Sequence, residues 1–279
     1  MKLKHANKDL MMLIGSMCIF GTIGILRKYI NMPSSFIALC RAVVGAVFLI
    51  TVVLIRKSSV NFSEIRKNLP WLILSGAFLG FNWILLFEAY NYTTVTCATL
   101  CYYMAPSIVV VASHILFNER LNFKKGLCVL VALFGMILVS GVIQTGIPSL
   151  GEVYGILYGL GAAVLYASVV LLNKKLTISS AFDKTIFQLG IAAAMLLPYT
   201  LLTEDLSQAV FSPLGVSLLV VAGIVHTGIA YAMYFGSVRY LNGQTVALLS
   251  YVDPILAIIL SALVLKEPIG IAEITGAVL

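Results

Sequence analysis

An acid and a proline stand side by side in an apolar stretch of the chain, at Asp253 and Pro254. Between Tyr240 and Leu265 the stretch carries no other charge. If it crosses a bilayer, Asp253 lies about 9 residues, or roughly 13 Å, past Gln244, near the middle of a hydrocarbon core about 30 Å thick. An ion at that depth is costly unless it faces a cavity, a partner charge or a solute. We therefore expect Asp253 to point inward, as a proton carrier, as a counter-ion to a cationic solute, or as a cap on a backbone amide that the proline frees.

Three further ionisable residues fall inside predicted membrane-spanning stretches. His226 lies at a depth similar to that of Asp253, so it either shares a proton with that acid or hydrogen-bonds to a neighbouring helix. Glu88 and Arg41 both lie near the outer ends of their stretches. They either pair with each other as a structural strut, because pairing is the usual way for ions to persist in a bilayer, or form an outer gate.

Aromatic residues at similar depths form a second group of candidates. The group comprises Tyr102, Tyr103, Tyr231, Tyr234, Tyr251 and Trp83, with Tyr166 as a weaker candidate and Ser250 on the face that carries Asp253. Their rings either wall a solute cavity and attract a cation, or pack in the core as aromatic side chains commonly do. Tyr103 and Tyr251 each precede a proline by three residues, and these prolines, Pro106 and Pro254, predict two kinked helices.

The composition identifies the elements that must position these residues. Of the 279 residues, 61% are hydrophobic and only 10% are charged, and the mean hydropathy is +1.04. Soluble domains carry about a quarter charged residues, so the composition indicates an all-α integral membrane protein. Apolar stretches predict ten transmembrane helices. They are Leu10–Leu26, Phe36–Ile55, Leu69–Tyr90, Val95–Phe117, Gly126–Ile143, Val153–Leu172, Thr185–Thr203, Pro213–Val238, Thr245–Leu265 and one that begins at Ile269. The last has only 11 residues, so we expect the natural chain to continue for at least two more turns.

The distribution of lysine and arginine sets the predicted orientation. With the amino terminus inside, 14 of the 18 basic residues fall in inner segments, three fall in outer segments and Arg41 lies within a span. The positive-inside rule then places both termini in the cytoplasm and the chain in the cytoplasmic membrane. Topology thus accounts for the net charge of +7, and we expect no nucleic-acid partner.

An internal repeat divides the predicted spans into two groups of five. Sliding the chain by 148 residues aligns the Tyr-x-x-Pro motif that ends at Pro106 with the one that ends at Pro254. Because five is an odd number, the two halves enter the membrane in opposite orientations, as in the inverted repeats of secondary transporters. We expect the repeats to occupy residues 1–143 and 153–279, with an outer linker at residues 144–152.

Three short motifs follow one another along the chain. They are Leu39-Cys40-Arg41-Ala42, then Pro106 followed by Asn118-Glu119-Arg120-Leu121, then Asp253-Pro254 followed by Leu265-Lys266-Glu267-Pro268. In this order and spacing they resemble the EamA family of the drug/metabolite transporter superfamily. The resemblance implies ten helices around a central cavity and the export, less often the import, of small metabolites such as amino acids. The chain carries Asp253 where the family more usually has glutamate before the proline.

The sequence therefore predicts a secondary active transporter for a small organic metabolite, with proton coupling through Asp253 as a further hypothesis. The alternatives are an intramembrane enzyme that uses Asp253, His226 and Glu88 as acid–base groups, and a passive solute channel. Motifs for phosphate, dinucleotide and zinc binding and for a serine nucleophile are absent from the sequence, so we predict neither an enzyme nor a cofactor or metal site. The expected partners are the bilayer and a solute with a cationic group, and the chain is expected to be a monomer or a homodimer.

Overall fold

The architecture is helical throughout the part of the chain that the structure describes. A computed structural model describes residues 2–58, 60–117, 149–206, 211–238, 249–250, 252–266 and 270–278, and residues 126, 127, 130, 131, 134, 135 and 138 between them. These residues form helices, turns and short connections, and no β-strand occurs among them.

Thirteen α-helices are numbered here in chain order. They are α1 (Lys2–Gly21), α2 (Ile23–Lys28), α3 (Ser34–Ile55), α4 (Phe62–Lys67), α5 (Leu69–Tyr92), α6 (Val95–Tyr102), α7 (Ala105–Phe117), α8 (Leu150–Lys175), α9 (Ala181–Thr203), α10 (Pro213–Val221), α11 (Ala230–Val238), α12 (Val252–Val264) and α13 (Ile271–Val278). A π-helical segment, Ala222–Ile229, joins α10 to α11.

Six helical stretches of the described chain are long and apolar enough to cross a membrane. They are Lys8–Lys28, Ser34–Ile55, Leu69–Tyr92, Leu150–Asn173, Ala181–Thr203 and Pro213–Tyr234, and two shorter apolar stretches are Val95–Val109 and Val252–Val264. Each of the eight overlaps one of the predicted spans. The chain is thus an all-α membrane protein.

Side-chain caps determine where several of these helices begin. Thr94 accepts a hydrogen bond from the backbone of Cys97 at the start of α6, which separates that helix from α5. Ser149 and Glu152 form a reciprocal capping box at the start of α8, which satisfies backbone N–H groups of its first turn. Helix α8 consequently starts at Leu150, inside the stretch predicted as a linker, and the division into two repeats stays a prediction.

Two predicted spans are less regular than expected. The first is divided by a turn at Thr22, whose hydroxyl donates to the carbonyl of Ile19 at 2.8 Å, so α1 and α2 are separate helices. The eighth contains the π-helical segment, which hydropathy alone does not reveal. Both irregular positions lie beside each other in the fold, as the contacts of His226 show below.

The fourth predicted span consists of two helices rather than one. Helix α6 ends at Tyr102, the chain turns at Tyr103 and Met104, and α7 begins at Ala105. Pro106 is the second residue of α7, a position where its missing N–H removes no helical hydrogen bond. The interruption therefore places Tyr103 at a point where the backbone is not helical.

Helices from the first and second halves of the chain share one core. Phe87 of α5, Leu49 of α3 and Leu189 and Leu196 of α9 are almost fully buried in the same apolar cluster. A Cβ added at Gly76 would lie 2.8 Å from atoms of α9, so α5 and α9 pack backbone against side chain. Deep polar residues are therefore held between closely packed helices.

Hydrogen bonds join the two halves at opposite ends of α3, α5 and α9. At one end, which we call the Asn68 bridge, Thr177 N donates to Asn68 Oδ1 at 3.0 Å and Ser179 N donates to Glu64 Oε2 at 2.8 Å. At the other end, the Ser35 bridge, Ser35 Oγ donates to Glu204 Oε1 at 2.7 Å. Polar contacts thus join the two halves at both ends of the interface.

Candidate functional site

Arg41 lies deep in α3 between aromatic rings and a hydroxyl. Its side chain is only 4% exposed, and its guanidinium carbon lies 4.5 Å from the ring centre of Trp83 and 5.2 Å from that of Phe87. Arg41 Nε donates to Thr227 Oγ1 at 3.2 Å. Ring faces attract a cation electrostatically, most strongly where water is excluded. The site therefore holds a positive charge without a hydrogen-bonded carboxylate among the described residues.

The π-helical segment brings Thr227 to Arg41. Thr227 Oγ1 donates to the carbonyl of Ala222, five residues earlier, at 3.0 Å, while it accepts from Arg41. Close packing against α3 fixes this arrangement, since a Cβ added at Gly45 would lie 2.6 Å from Thr227 Cγ2 and one at Gly223 would lie 2.5 Å from Val44 Cβ. π-Helical turns often occur at functional sites because they displace side chains from the regular helical register.

His226 hydrogen-bonds to the break in the first predicted span. Its Nε2 lies 2.7 Å from Thr22 Oγ1, and the side chain is only 3% exposed. Because the Thr22 hydroxyl donates to Ile19, it accepts from Nε2. Nδ1 then has no partner among the described residues and is left as an acceptor. The contact with Thr22 is the interhelical hydrogen bond expected in one of the two hypotheses for His226. The other hypothesis, a proton shared with Asp253, stays a prediction.

Asp253 lies in the first turn of α12, beside the break between α6 and α7. The Tyr103 hydroxyl lies close enough to the Asp253 carboxylate to interact with it electrostatically. A Cβ added at Gly21 would lie 2.7 Å from the carbonyl oxygen of Asp253, so the end of α1 packs directly against this turn. The Asp253 side chain is nevertheless only half-buried. The end of α1, the break between α6 and α7 and the first turn of α12 therefore meet at this acid.

Tyrosines near Arg41 and Asp253 form one wall of aromatic rings. Tyr102 contacts Tyr103 with ring centres 5.9 Å apart and Tyr166 at 5.4 Å, and it lies close enough to both Arg41 and Asp253 to interact electrostatically. Tyr102, Tyr103 and Tyr166 are all half-buried rather than fully enclosed. Tyr166, which the sequence ranked as the weaker candidate, is thus part of the same wall.

The opposite wall consists of rings from α1, α5 and α11. Trp83 stacks on Tyr231 with ring centres 6.4 Å apart and an angle of 19°. Phe20 contacts Tyr231 at 5.5 Å and Tyr234 at 6.3 Å. Tyr231 and Tyr234 are half-buried, whereas Trp83 is 3% exposed. Trp83 therefore supports Arg41 and Tyr231 rather than facing open space.

Glu88 and Arg41 take different partners. Asn91 Nδ2 donates to Glu88 Oε2 at 3.2 Å, and Arg27 Nη2 donates to Asn91 Oδ1 at 3.1 Å. Arg27 also lies close enough to Glu88 for electrostatic attraction. The arginine beside Glu88 is therefore Arg27, because the packing of α3 on the π-helical segment turns Arg41 toward Trp83 and Thr227.

Two remaining candidates carry less structural information. Ser250 is helical and half-buried, and Pro254, the third residue of α12, is buried. Tyr251 lies outside the described residues. The kink predicted at Pro254 depends on the chain on both sides of Tyr251 and stays a prediction.

Several polar residues at the site were not among the sequence candidates. Thr22 and Thr227 bind the two deep basic side chains, and Asn82 Nδ2 donates to the carbonyl of Ala162 at 2.6 Å, joining α5 to α8. Asn82 is a fully buried amide within an apolar span, which is a recognisable signal for an interhelical contact. The two threonines give no such signal, since hydroxyls are common in membrane helices.

Taken together, the apolar helices enclose a half-buried acid, a buried arginine and a ring of tyrosines. No group of three or more histidine, cysteine or acidic side chains suited to a metal occurs in the described chain. The fold and the site define a helical membrane protein whose interior can contact both charged and aromatic parts of a small molecule.

Comparison with known proteins identifies the family. The profile of the EamA-like transporter family matches residues 7–141 and, separately, residues 153–279. The chain is 30% identical over 261 residues to the uncharacterized transporter YxxF of Bacillus subtilis, covering 92% of this chain and 82% of that protein. It is 25% identical over 227 residues to the protein PecM of Dickeya dadantii, covering 76% and 73% of the two chains.

A solved crystal structure supports the same fold. It aligns with a TM-score of 0.71 and 20% identity and covers 97% of this chain and 93% of that chain. At this identity the likeness speaks for the fold alone. The chain belongs to the EamA-like transporter family, within the drug/metabolite transporter superfamily.

Proposed function

We propose that the protein is a secondary active transporter that exports a small organic metabolite, such as an amino acid or an amine, across the cytoplasmic membrane by alternating access. The observation that carries the proposal is Asp253, a half-buried acid in an apolar bundle, which lies close to Tyr103 at the break between α6 and α7. Transporters place their binding sites near the midplane, at interrupted helices.

The proposed architecture is a pair of inverted five-helix repeats with both termini in the cytoplasm. The family profile matches twice, over 7–141 and 153–279, which supports a duplicated unit. The bias of basic residues supports the orientation. In this arrangement the Asn68 bridge lies on the cytoplasmic side and the Ser35 bridge on the outer side.

Alternating access requires each bridge to open in turn. The Asn68 bridge and the Ser35 bridge both join residues of the first repeat to residues of the second. A hydrogen bond between neutral groups is worth about 0.5–1.5 kcal/mol and one to a carboxylate about 1.5–3 kcal/mol, which is small enough for thermal opening. If the two repeats rock and each bridge breaks in turn, the protein works as a transporter rather than as a permanently open channel.

Counterflow in proteoliposomes tests the proposal. Purified protein is reconstituted with a high internal concentration of one unlabelled metabolite from a panel of amino acids and amines, and entry of the same labelled compound is followed. A transporter gives transient, saturable accumulation above equilibrium for at least one compound. Entry that is linear with concentration and never exceeds equilibrium would instead indicate a channel, and chemical conversion of the compound would indicate an enzyme.

Proton coupling through Asp253 has its own test. Asp253→Asn keeps the size of the side chain but removes the group that can exchange a proton at this depth. We expect counterflow in Asp253→Asn proteoliposomes to persist while net transport loses its response to an imposed pH gradient. An unchanged response to the gradient would exclude Asp253 as the coupling group.

A further inference from the structure

Arg41 has terminal guanidinium nitrogens that form no hydrogen bond with the described residues. Among the described residues its one hydrogen-bond acceptor is Thr227, bound through Nε, so neither terminal nitrogen of the guanidinium is paired. No carboxylate of the described chain forms an ion pair with it. A cation this deep, only 4% exposed, therefore has an incomplete set of partners.

The aromatic rings around Arg41 offset only part of the cost of burying it. A cation over a desolvated ring gains about 2 kcal/mol, whereas removing an ion from water costs several kcal/mol. The guanidinium carbon of Arg41 lies 4.5 Å from the ring centre of Trp83 and 5.2 Å from that of Phe87. Those contacts and the bond to Thr227 also fix the orientation of the guanidinium plane. The arrangement is that of a pre-positioned fork with its two terminal nitrogens left for a ligand.

The Arg41 guanidinium lies close to tyrosines of both walls. Tyr102 and Tyr231 are close enough to Arg41 to interact electrostatically, and both rings keep accessible surface. Tyr102 also lies close to Asp253. A small solute in contact with these tyrosines would therefore meet a cation from α3 and an acid from α12.

We propose that Arg41 is the binding group for a carboxylate of the transported solute. A guanidinium binds a carboxylate through two parallel N–H···O bonds, a geometry that a point charge such as ammonium does not provide. The proposal deepens the proposed function and rests on it for the identity of the ligand as a transported solute. It also extends the sequence-based expectation of a solute with a cationic group, because a solute that carries both a carboxylate and an ammonium satisfies Arg41 and Asp253 together.

Tryptophan fluorescence provides a direct test of binding. The chain contains two tryptophans, Trp71 and Trp83, and Trp71 is 39% exposed and packs against Lys175 outside the site. Trp71→Phe leaves Trp83, on which Arg41 stacks, as the one fluorescent indole. The probes are L-leucine, L-phenylalanine and L-serine, each compared with the amine that lacks its carboxylate: 3-methylbutylamine, 2-phenylethylamine and 2-aminoethanol. Chloride is held constant throughout.

We expect at least one amino acid to change Trp83 fluorescence at a concentration about 10- to 100-fold lower than its matched amine does, the ratio expected for one charge-assisted pair. Arg41→Gln should remove the preference for the amino acid over the amine. Arg41→Lys keeps the positive charge but not the two parallel N–H donors. This variant should fold and should lose at least part of the preference for the amino acid. Arg56→Gln should leave the preference intact, because Arg56 stacks on Phe182 at the end of α3 and is exposed.

The outcomes separate this inference from the proposed function. No amino acid response, an equal response to amine and amino acid, or a preference that survives Arg41→Gln overturns the assignment of Arg41. Counterflow of an amine without any carboxylate preference would sustain the transporter and reject this site. A carboxylate preference in the fluorescence titration without counterflow of any compound would sustain the site and reject the transporter.

Discussion

At the scale of single residues, two threonine hydroxyls hold the two deep basic side chains. Thr22 binds His226 and Thr227 binds Arg41, and in each pair the residues belong to different helical segments distant in sequence. Each hydroxyl also bonds to a backbone carbonyl of its own segment. The basic groups are therefore anchored to the two irregular segments of the bundle rather than to straight helices.

Removing the Thr22 hydroxyl should destabilise the protein through His226. Thr22→Val leaves both nitrogens of a side chain that is 3% exposed without a partner among the described residues, which costs about 1–3 kcal/mol. The measurement is the free energy of unfolding in mixed micelles titrated with a denaturing detergent. Thr51→Val is the matched control, because the Thr51 hydroxyl bonds to its own helix at an exposed position. Equal effects of the two substitutions would show that the Thr22 bond to His226 contributes nothing.

Pairs of this kind were beyond what the sequence could predict. His226 and Arg41 were recognisable as candidates because an ionisable residue in an apolar span is rare. Their partners depend on the rotation of each helix about its axis, which hydropathy does not encode. The expected pair of Arg41 and Glu88 illustrates this limit, because it was predicted from their similar depth alone. In the structure Glu88 lies beside Arg27 and Asn91 instead.

At the scale of elements, contact between α3 and the π-helical segment positions the arginine. Gly223 accommodates Val44, Gly45 accommodates Thr227, and Gly228 accommodates Phe48, with the nearest atoms of each pair 2.3–2.6 Å from where a Cβ would be. Small residues are the usual means by which membrane helices approach closely. The glycines thus set the distance at which Arg41 reaches Thr227.

An added methyl group should disrupt this contact. Gly223→Ala would place a Cβ 2.5 Å from Val44 Cβ and Cγ1, so the helices must separate, and we expect a loss of about 1–3 kcal/mol in the free energy of unfolding. Gly190→Ala in α9 is the control, because no atom lies within 4 Å of its added Cβ. The control should be neutral or more stable by up to about 1 kcal/mol, since alanine is the better helix former. A loss at Gly223 no larger than that at Gly190 would contradict close packing at this interface.

The positions of regular helices were largely predictable, and the irregular segments were less so. Predicted bounds for the second and third spans, Phe36–Ile55 and Leu69–Tyr90, differ from α3 and α5 by two residues at one end, because continuous apolar runs bounded by charge leave little choice. A break before Pro106 follows from the chemistry of proline. The π-helical segment contains no proline and differs from an α-helix by one extra residue, so no local signal marks it.

At the scale of the whole molecule, the two bridges join the halves at opposite ends of the interface between α3, α5 and α9. In the Asn68 bridge, Asn68 accepts a hydrogen bond from Thr177 and Glu64 accepts hydrogen bonds from Ser179. The Ser35 bridge has one hydrogen bond, from Ser35 to Glu204. If the halves rock as proposed, weakening either bridge biases the protein toward the state that opens at that end. Substitutions in the two bridges should therefore bias the protein toward opposite open states.

Accessibility of a cysteine in the cavity measures this bias from each side of the membrane. Tyr234→Cys, in a background without the native cysteines, places the reporter on the half-buried wall, and an impermeant maleimide is applied to inside-out and right-side-out vesicles. We expect Asn68→Ala to increase labelling from the cytoplasmic side by at least about 2- to 10-fold, since each neutral hydrogen bond lost is worth about 0.5–1.5 kcal/mol. We expect Ser35→Ala to increase labelling from the outside by about 10- to 100-fold, since a bond to a carboxylate is worth about 1.5–3 kcal/mol. Ser217→Ala, which removes an exposed bond within α10, should change neither. Increases from both sides after one substitution would mean that the bridges stabilise the bundle as a whole, and the two halves would then not move as alternately opening units.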